Sequence, residues 1–285
     1  MAGVLYIVAT PIGNLDDISL RAIATLKSVD LIAAEDTRHS RHLLHHFGIE
    51  TPLLSCHEHN EAARSKEILA KLEAGSDVAL ISDAGTPLIS DPGYRLVSAA
   101  RRQGIPVSPI PGANSAIAAL SAAGLPTESF HFAGFLSART AERASQLQAL
   151  RAVPGTLVLF ESSHRIESLL EQLTQVFPRH RCVVAKELTK LHEKFLLGTA
   201  AEVREIFTGD DKLRKGEFVV LIDNQADKKA SAPDSDDVRL LRILLDELSV
   251  KMAVKIAMRL TGKKKNEIYQ LALKLREEIR SESAG

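Results

Sequence analysis

Two cysteines in 285 residues, Cys56 and Cys182, leave no material for a disulfide framework, and neither stands in a metal-type spacing. Their scarcity fits a reducing, cytoplasmic compartment, and no metal site is expected. Net charge is missing as well. Lys and Arg together number 36, as do Asp and Glu, so no global field draws in a nucleic acid and any such contact has to be local. No apolar run approaches membrane-spanning length, and the opening residues lead straight into a strand. Neither a membrane span nor a signal peptide is therefore expected. Internal repeats and low-complexity segments are also lacking. What remains is an ordinary composition, 45% apolar and 25% charged, over a length that suits two domains and a small appendage.

Apolar runs alternate with helical patterns from the start. Val4-Leu-Tyr-Ile-Val-Ala9, Val29-Asp-Leu-Ile-Ala-Ala34, Val78-Ala-Leu-Ile81 and residues 107–110 read as strands. Helices are predicted over residues 19–27, 40–47, 61–73 and 94–103, with Gly48 and Gly104 as closing signals. This βαβ rhythm predicts a largely parallel sheet covered by helices. Pro111-Gly-Ala-Asn-Ser115 then opens a helix of small residues, after which the texture changes. Strands are predicted at residues 130–135, 156–160, 181–185, 194–197 and 217–222, with helices over 139–151, 165–177 and 201–207. The last two strands are close in sequence, which predicts an antiparallel pair. The chain thus divides into an α/β domain over residues 1–117, a second over 118–225, a polar linker over 226–237 and a helical unit over 238–285.

The densest turn chemistry is Ser82-Asp-Ala-Gly-Thr-Pro-Leu-Ile-Ser-Asp-Pro-Gly93, at the carboxyl end of the strand 78–81. Open α/β sheets bind ligands at such an end. Asp83-Ala-Gly-Thr-Pro87 exceeds what a connection needs and is read as a site. Asp91-Pro92 is read instead as an N-cap followed by the first helical residue. The first strand–helix loop, Thr10-Pro-Ile-Gly-Asn-Leu-Asp-Asp17, contains only Gly13, and the second strand ends in Ala34-Glu-Asp-Thr-Arg38. An acid after a strand fits a ribose hydroxyl, but without the glycine-rich fingerprint a nicotinamide site is disfavoured.

Histidine is concentrated early, at His39, His42, His45, His46, His57 and His59. His42 and His46 share a helix face, yet no third ligand accompanies them, so a wet, partly cationic surface is the favoured reading. Glu161-Ser-Ser-His-Arg165 follows another strand; Glu161 is expected at a cleft, while Ser163 either caps the next helix or joins the site. Lys186-Glu-Leu-Thr-Lys190 and Arg214-Lys-Gly-Glu217 mark further strand ends, and together these segments indicate one polar crevice between two domains. In the helical unit Lys251, Lys255 and Arg259 recur every four residues and Lys263-Lys-Lys265 follows Gly262. This predicts one basic stripe, backed by Met252, Ile256 and Leu260 facing a core, in a helix-turn-helix-like arrangement. A local phosphate-binding surface stands beside the plainer reading of a solvated face.

In order along the chain, Ala9-Thr-Pro-Ile-Gly-Asn-Leu15, Ala34-Glu-Asp-Thr-Arg38, Ser82 to Gly93, Pro111-Gly112, Gly134-Phe-Leu136, Glu161 to Arg165, Lys186 to Lys190 and Lys215-Gly-Glu217 resemble one bacterial family. It is the ribosomal RNA small subunit methyltransferase I family, within the tetrapyrrole methylase superfamily. The resemblance implies two α/β domains with S-adenosyl-L-methionine in the cleft between them, a C-terminal helix-turn-helix-like domain, and a homodimer. It also implies 2′-O-methylation of a cytidine ribose in the decoding region of 16S ribosomal RNA, on the RNA or the 30S subunit. Carried over by motif, Pro11, Asp83, Gly85, Thr86, Ser115, Ala116, Glu161, Leu188 and Gly216 fall on the cofactor side. Glu35, Asp36, Arg38, Asn114, Glu161 and Lys186 are the polar residues placed near the transferred methyl, with Arg38 on a target phosphate and Glu161 near the hydroxyl; the residues alone do not single out the base. Lys251, Lys255, Arg259, Lys263, Lys264 and Lys265 form the RNA arm. The tetrapyrrole branch carries a Gly-rich first loop that this chain lacks, which favours RNA over a small macrocyclic substrate. A non-catalytic RNA-binding protein is disfavoured by the dense cleft motif.

Overall fold

The structure is a computed structural model that describes residues 2–57, 59–225 and 235–282. The chain forms two compact units, Met1–Gln225 and Ala226–Gly285. Among the described residues no helix is long and apolar enough to cross a membrane.

The first half of the larger unit runs β1 (Leu5–Val8), α1 (Leu20–Ser28), β2 (Leu31–Ala34), α2 (Thr37–His46), β3 (Leu53–Ser55), α3 (Glu61–Glu73), β4 (Val78–Ile81), α4 (Tyr94–Arg102) and β5 (Val107–Ile110). Its sheet is all-parallel, in the order β3-β2-β4-β1-β5. Helices cover such a sheet on both faces, so β4 is buried at every residue and reads as an unbroken apolar run. β3 was not among the expected strands; it is three half-buried edge residues, too short for a periodic signal. α2 starts at Thr37, ahead of the expected residue 40, because the Asp36 carboxylate caps it by accepting from Arg38 N at 2.8 Å.

The second half runs α5 (Ser115–Ala122), β6 (Phe130–Phe135), α6 (Thr140–Leu150), β7 (Gly155–Ser162), α7 (Ile166–Val176), β8 (Arg181–Lys186), β9 (Lys194–Thr199), α8 (Ala200–Gly209) and β10 (Glu217–Asn224). The strand order is β6-β7-β10-β8-β9, with only β6 and β7 parallel. The expected pairing of β10 with β9 does not occur. β10 lies between β7 and β8, Val220 facing Leu159 on one side and Val184 on the other, and β9 pairs with β8. Burial explains the difference. Residues 218–222 of β10 are all buried and need neighbours on both sides, whereas β9 begins with an exposed Lys194 and tolerates the edge. The boundary expected after residue 117 falls inside α5, whose Ala116, Ala119 and Leu120 pack with Val158, Val183, Val219 and Leu221 of the second sheet.

The smaller unit is three helices, α9 (Ser235–Glu247), α10 (Val250–Thr261) and α11 (Lys265–Glu282). Residues 226–234 of the expected linker lie outside the described residues, and 235–237 are already helical. Leu241, Val254, Ala257, Ile268, Ala272 and Leu275 form the core. Met252, Ile256 and Leu260 do not face it as expected: Met252 is 50% and Leu260 67% exposed, while Ala253, Val254 and Ala257 are buried. α10 turns Val254, Ala257 and Met258 to the core, a face rotated away from Met252 and Leu260, and Ile256, between those two, is half-buried.

Candidate active site

Parallel topology brings the loops after β1, β2, β4 and β5 to one edge, where β4 sits between β1 and β2. The loops are stitched together there. Thr10 N donates to Gly85 O at 2.9 Å, Gly85 N donates back to Thr10 O at 3.1 Å, and Thr86 Oγ1 donates to Ala113 O at 3.0 Å. Across the gap, the loop after β8 meets the first loop: Asn14 N donates to Thr189 Oγ1 at 3.0 Å. Gly13 makes that approach possible, since a Cβ there would stand 2.8 Å from Leu188 O and 2.6 Å from Lys190 Cγ.

Both facing loops hold non-glycine residues in the left-handed region, Leu88 (φ 73°) and Ser90 (φ 74°) on one side, Glu187 (φ 51°) and Thr189 (φ 64°) on the other. Such backbone costs of order 1–3 kcal/mol per residue and clusters at ligand clamps. In each loop the residue between the strained pair, Ile89 or Leu188, lines the same cavity.

That cavity has a volume of about 400 Å³ and lies between the two sheets. It gathers eight of the expected residues: Glu35, Asp83, Gly85, Thr86, Asn114, Ser115, Glu161 and Leu188. Others stand elsewhere. Pro11 lines a neighbouring cavity; Ala116 is 5% exposed and packs against the second sheet. Gly216 is in the turn before β10, against the Glu187 side chain, and it is Glu217 and Phe218 that reach the wall. Lys186 is buried at the end of β8 and lines neither cavity. Arg38 is exposed on neither wall, paired with Asp36 at 3.1 Å, which holds the Asp36 carboxyl down at about 2. Asn114 already uses its Oδ1 to cap α5, accepting from Ile117 N at 3.1 Å.

Asp91 is the principal residue that sequence reasoning misplaced. It lines the cavity, and the N-cap of α4 is Gly93 (φ 124°). The carboxylate serving that helix end comes from α3: buried Glu61 accepts at Oε1 from Gly93 N at 3.2 Å and from Arg95 N at 2.9 Å. With the helix dipole answered from elsewhere, Asp91 is left to the cavity. Burial, opposed by the Ser82 hydroxyl bond and reinforced by the charges of Glu35 and Asp83, pushes Asp91 up to about 6. Burial and Asp83 also raise Glu35, which lines the same wall. Phe135 and Phe160, edge-to-face at 5.5 Å, and Phe218 supply apolar wall from the second sheet.

Glu161, only 2% exposed, sits between two arginines. Its Oε1 accepts from Ser162 N at 2.8 Å and lies 3.2 Å from Arg165 Nε; Oε2 is 4.0 Å from Arg143 Nη1 and has no hydrogen-bond partner. Arg143 is itself buried, donating to Gln172 Oε1 and Ser168 Oγ at 2.5 Å each, and burial lowers its pKa. Ser163 does not cap α7, whose N-cap is Arg165. The early histidines His39, His42, His45 and His46 are exposed on α2, and His57 N donates to Asn60 Oδ1 at 2.9 Å in the loop before α3.

A cleft at the carboxyl edge of a parallel sheet, roofed by a second mixed sheet, defines the methylase class whose family model, Tetrapyrrole (Corrin/Porphyrin) Methylases, matches residues 4–204. A second model, the RsmI C-terminal HTH domain, matches residues 231–276. The chain is 50% identical to ribosomal RNA small subunit methyltransferase I of Pseudomonas aeruginosa, over 95% of this chain and 97% of that one. It is 47% identical to the protein of the same name from Escherichia coli O157:H7, over 95% of each. It belongs to the ribosomal RNA small subunit methyltransferase I family. The fold recurs in uroporphyrin-III C-methyltransferase from Thermus thermophilus complexed with S-adenosylhomocysteine, at 21% identity and a TM-score of 0.53, over 77% of this chain and 97% of that one.

Proposed function

We propose that this protein transfers a methyl group from S-adenosylmethionine to the 2′-hydroxyl of a cytidine in the decoding region of 16S ribosomal RNA. Methyl transfer to small-subunit ribosomal RNA is supported by family membership at 50% identity. The 2′-hydroxyl, the cytidine and a homodimeric state rest on the resemblance of the motifs, and the cytoplasmic setting on the scarcity of cysteine.

One observation carries the cofactor assignment: Glu161 Oε2, buried on the cavity wall, lacks a hydrogen-bond donor. A ribose hydroxyl supplies one, and unmade bonds at buried carboxylates are costly. The rest of the wall fits the same molecule. Glu35, Asp83 and Asp91 favour a cationic sulfonium and ammonium, Phe135, Phe160, Ile89 and Leu188 suit an adenine, and about 400 Å³ is within the range of ligand pockets. Bound there, S-adenosylmethionine supplies an electrophilic methyl whose bond to sulfur breaks, leaving the electron pair on a thioether, as the hydroxyl oxygen forms the new bond.

The residues have separate tasks in this reading. Glu161, fixed between Arg143 and Arg165, holds rather than shuttles protons. Asp91, on the cavity wall with Glu35 and Asp83 and with its carboxyl pushed up to about 6, takes the hydroxyl proton, a value that suits a base at neutrality. Arg38 leaves its exposed pair with Asp36, which is worth little in water, for an RNA phosphate. The test is incubation of 30S subunits, and separately of 16S RNA, with labelled S-adenosylmethionine and mapping of the label. A labelled ribose in the decoding region is expected; label on no RNA sugar rejects the proposal.

A further inference from the structure

A second cavity, of about 310 Å³, adjoins the first and shares Ile12, Asp83, Ala84 and Glu217 with it. His39, Ser40 and His42 of α2 line it, as does Lys190. The early histidines have no part in the cofactor cavity. Ser40 is 3% exposed, yet its Oγ has no hydrogen-bond partner. A buried hydroxyl that bonds nothing marks a polar position whose partner comes from outside the chain.

We propose that this second cavity receives the acceptor nucleotide of a single-stranded RNA segment, its sugar-phosphate lying against His39 and His42 and bonded by the Ser40 hydroxyl. The inference rests on the methyl-transfer reading of the first cavity. Donor and acceptor have to meet in line at close range, and the shared wall of residues 12, 83, 84 and 217 is where two adjoining cavities allow it. The lining matches the ligand. Two imidazoles, an ammonium and a hydroxyl suit a phosphate and a ribose, and Pro11, Leu15 and Leu43 provide apolar surface for a base.

Lys190 is held by Glu187 and Glu217 at 3.1 Å each, and the Glu217 side chain is 79% exposed. The exposed Glu217 arm is weak, so an entering phosphate can take its place on Lys190 while the less exposed Glu187 keeps its bond. The floor is preformed, because Gly13 and Asn14 are seated on the loop of Leu188 and Thr189.

The test uses the full chain with 30S subunits and with a short single-stranded oligoribonucleotide. His39→Ala/His42→Ala is expected to raise the KM for 30S subunits about tenfold or more, with the Kd for S-adenosylmethionine unchanged. His42→Glu is expected to be worse than His42→Ala, because it repels phosphate. Ser40→Ala removes a hydroxyl that bonds nothing in the protein, so weaker RNA binding at undiminished stability is the distinguishing result. Unchanged RNA affinity in all of these, or loss of cofactor affinity instead, overturns the inference. If the unaltered protein binds the oligoribonucleotide in a His39- and His42-dependent way but methylates nothing, the cavity assignment stands and the methyl-transfer reading falls.

Discussion

Glu61 on α3 and Gly93 at the start of α4 are joined by a bond from Gly93 N to Glu61 Oε1 at 3.2 Å, and the same oxygen takes Arg95 N at 2.9 Å. A side chain from one helix thus caps the next and fixes the end of the 82–93 loop. Glu61→Ala leaves two N–H groups without that acceptor and is expected to cost about 1–3 kcal/mol. Glu61→Gln keeps an acceptor oxygen and should recover most of it. Urea unfolding of both variants measures the difference, and an Ala variant as stable as the parent would show that the cap carries no energy.

Asp91 gives a pH dependence whose sign is fixed. Its ordinary value is near 3.8 and its folded value about 6. As pH rises through that window the unfolded chain ionises first, so stability falls, and the loss is complete above pH 6. Asp91→Asn should remove this slope, a gain of order 1 kcal/mol at pH 8 once partial exposure is discounted. Methyl transfer should fall by about 10²–10⁴-fold in the same variant, and the acid limb of the kcat/KM profile should disappear. Stability curves and initial rates at pH 5 and 8 separate the two effects, and a variant of normal activity removes Asp91 from the mechanism.

The Arg143–Glu161–Arg165 cluster predicts a split between folding and binding. Glu161→Gln should weaken S-adenosylmethionine by about 10–100-fold, the scale of a charge-assisted hydrogen bond. Arg143→Met, which leaves Glu161 with only Arg165, should act mainly on stability, at a cost of about 3–5 kcal/mol. Calorimetric titration together with thermal unfolding reads both. Equal cofactor loss in the two variants would make Arg143 part of the binding surface.

The parallel sheet was legible because its central strand β4, buried at every residue, is a short unbroken apolar run and β1 and β2 are apolar throughout. Asp83 and Glu161 were legible because they stand at or just beyond the end of an apolar run, and Thr86 because it shares the loop of Asp83. Asp91 was not, since Asp-Pro before a helix has a local meaning as a cap and nothing nearby in sequence shows that Glu61, thirty-two residues upstream of Gly93, takes that task. The paired strained loops were equally silent: Leu88, Ser90, Glu187 and Thr189 adopt positive φ without the glycine that would announce it. Strand order in the second sheet depended on which strand buries more area, a property of the assembled sheet.

The helical unit separates two kinds of lysine. Lys251, Lys255 and Arg259 are exposed on α10, as an RNA arm requires. Lys263, by contrast, makes an ion pair with Asp237, whose side chain is 9% exposed, so it belongs to the framework of the unit. Replacing Lys251, Lys255 and Arg259 together by Ala is expected to lower affinity for 30S subunits and to reduce the slope of log K against log salt by about 2–3, the counterions of three phosphate contacts. Lys263→Ala should instead lower the thermal stability of the unit and leave that slope nearly unchanged. Filter binding across a salt series decides between these outcomes. A triple variant with the parental slope would return the stripe to an ordinary solvated face and leave RNA recognition to the larger unit.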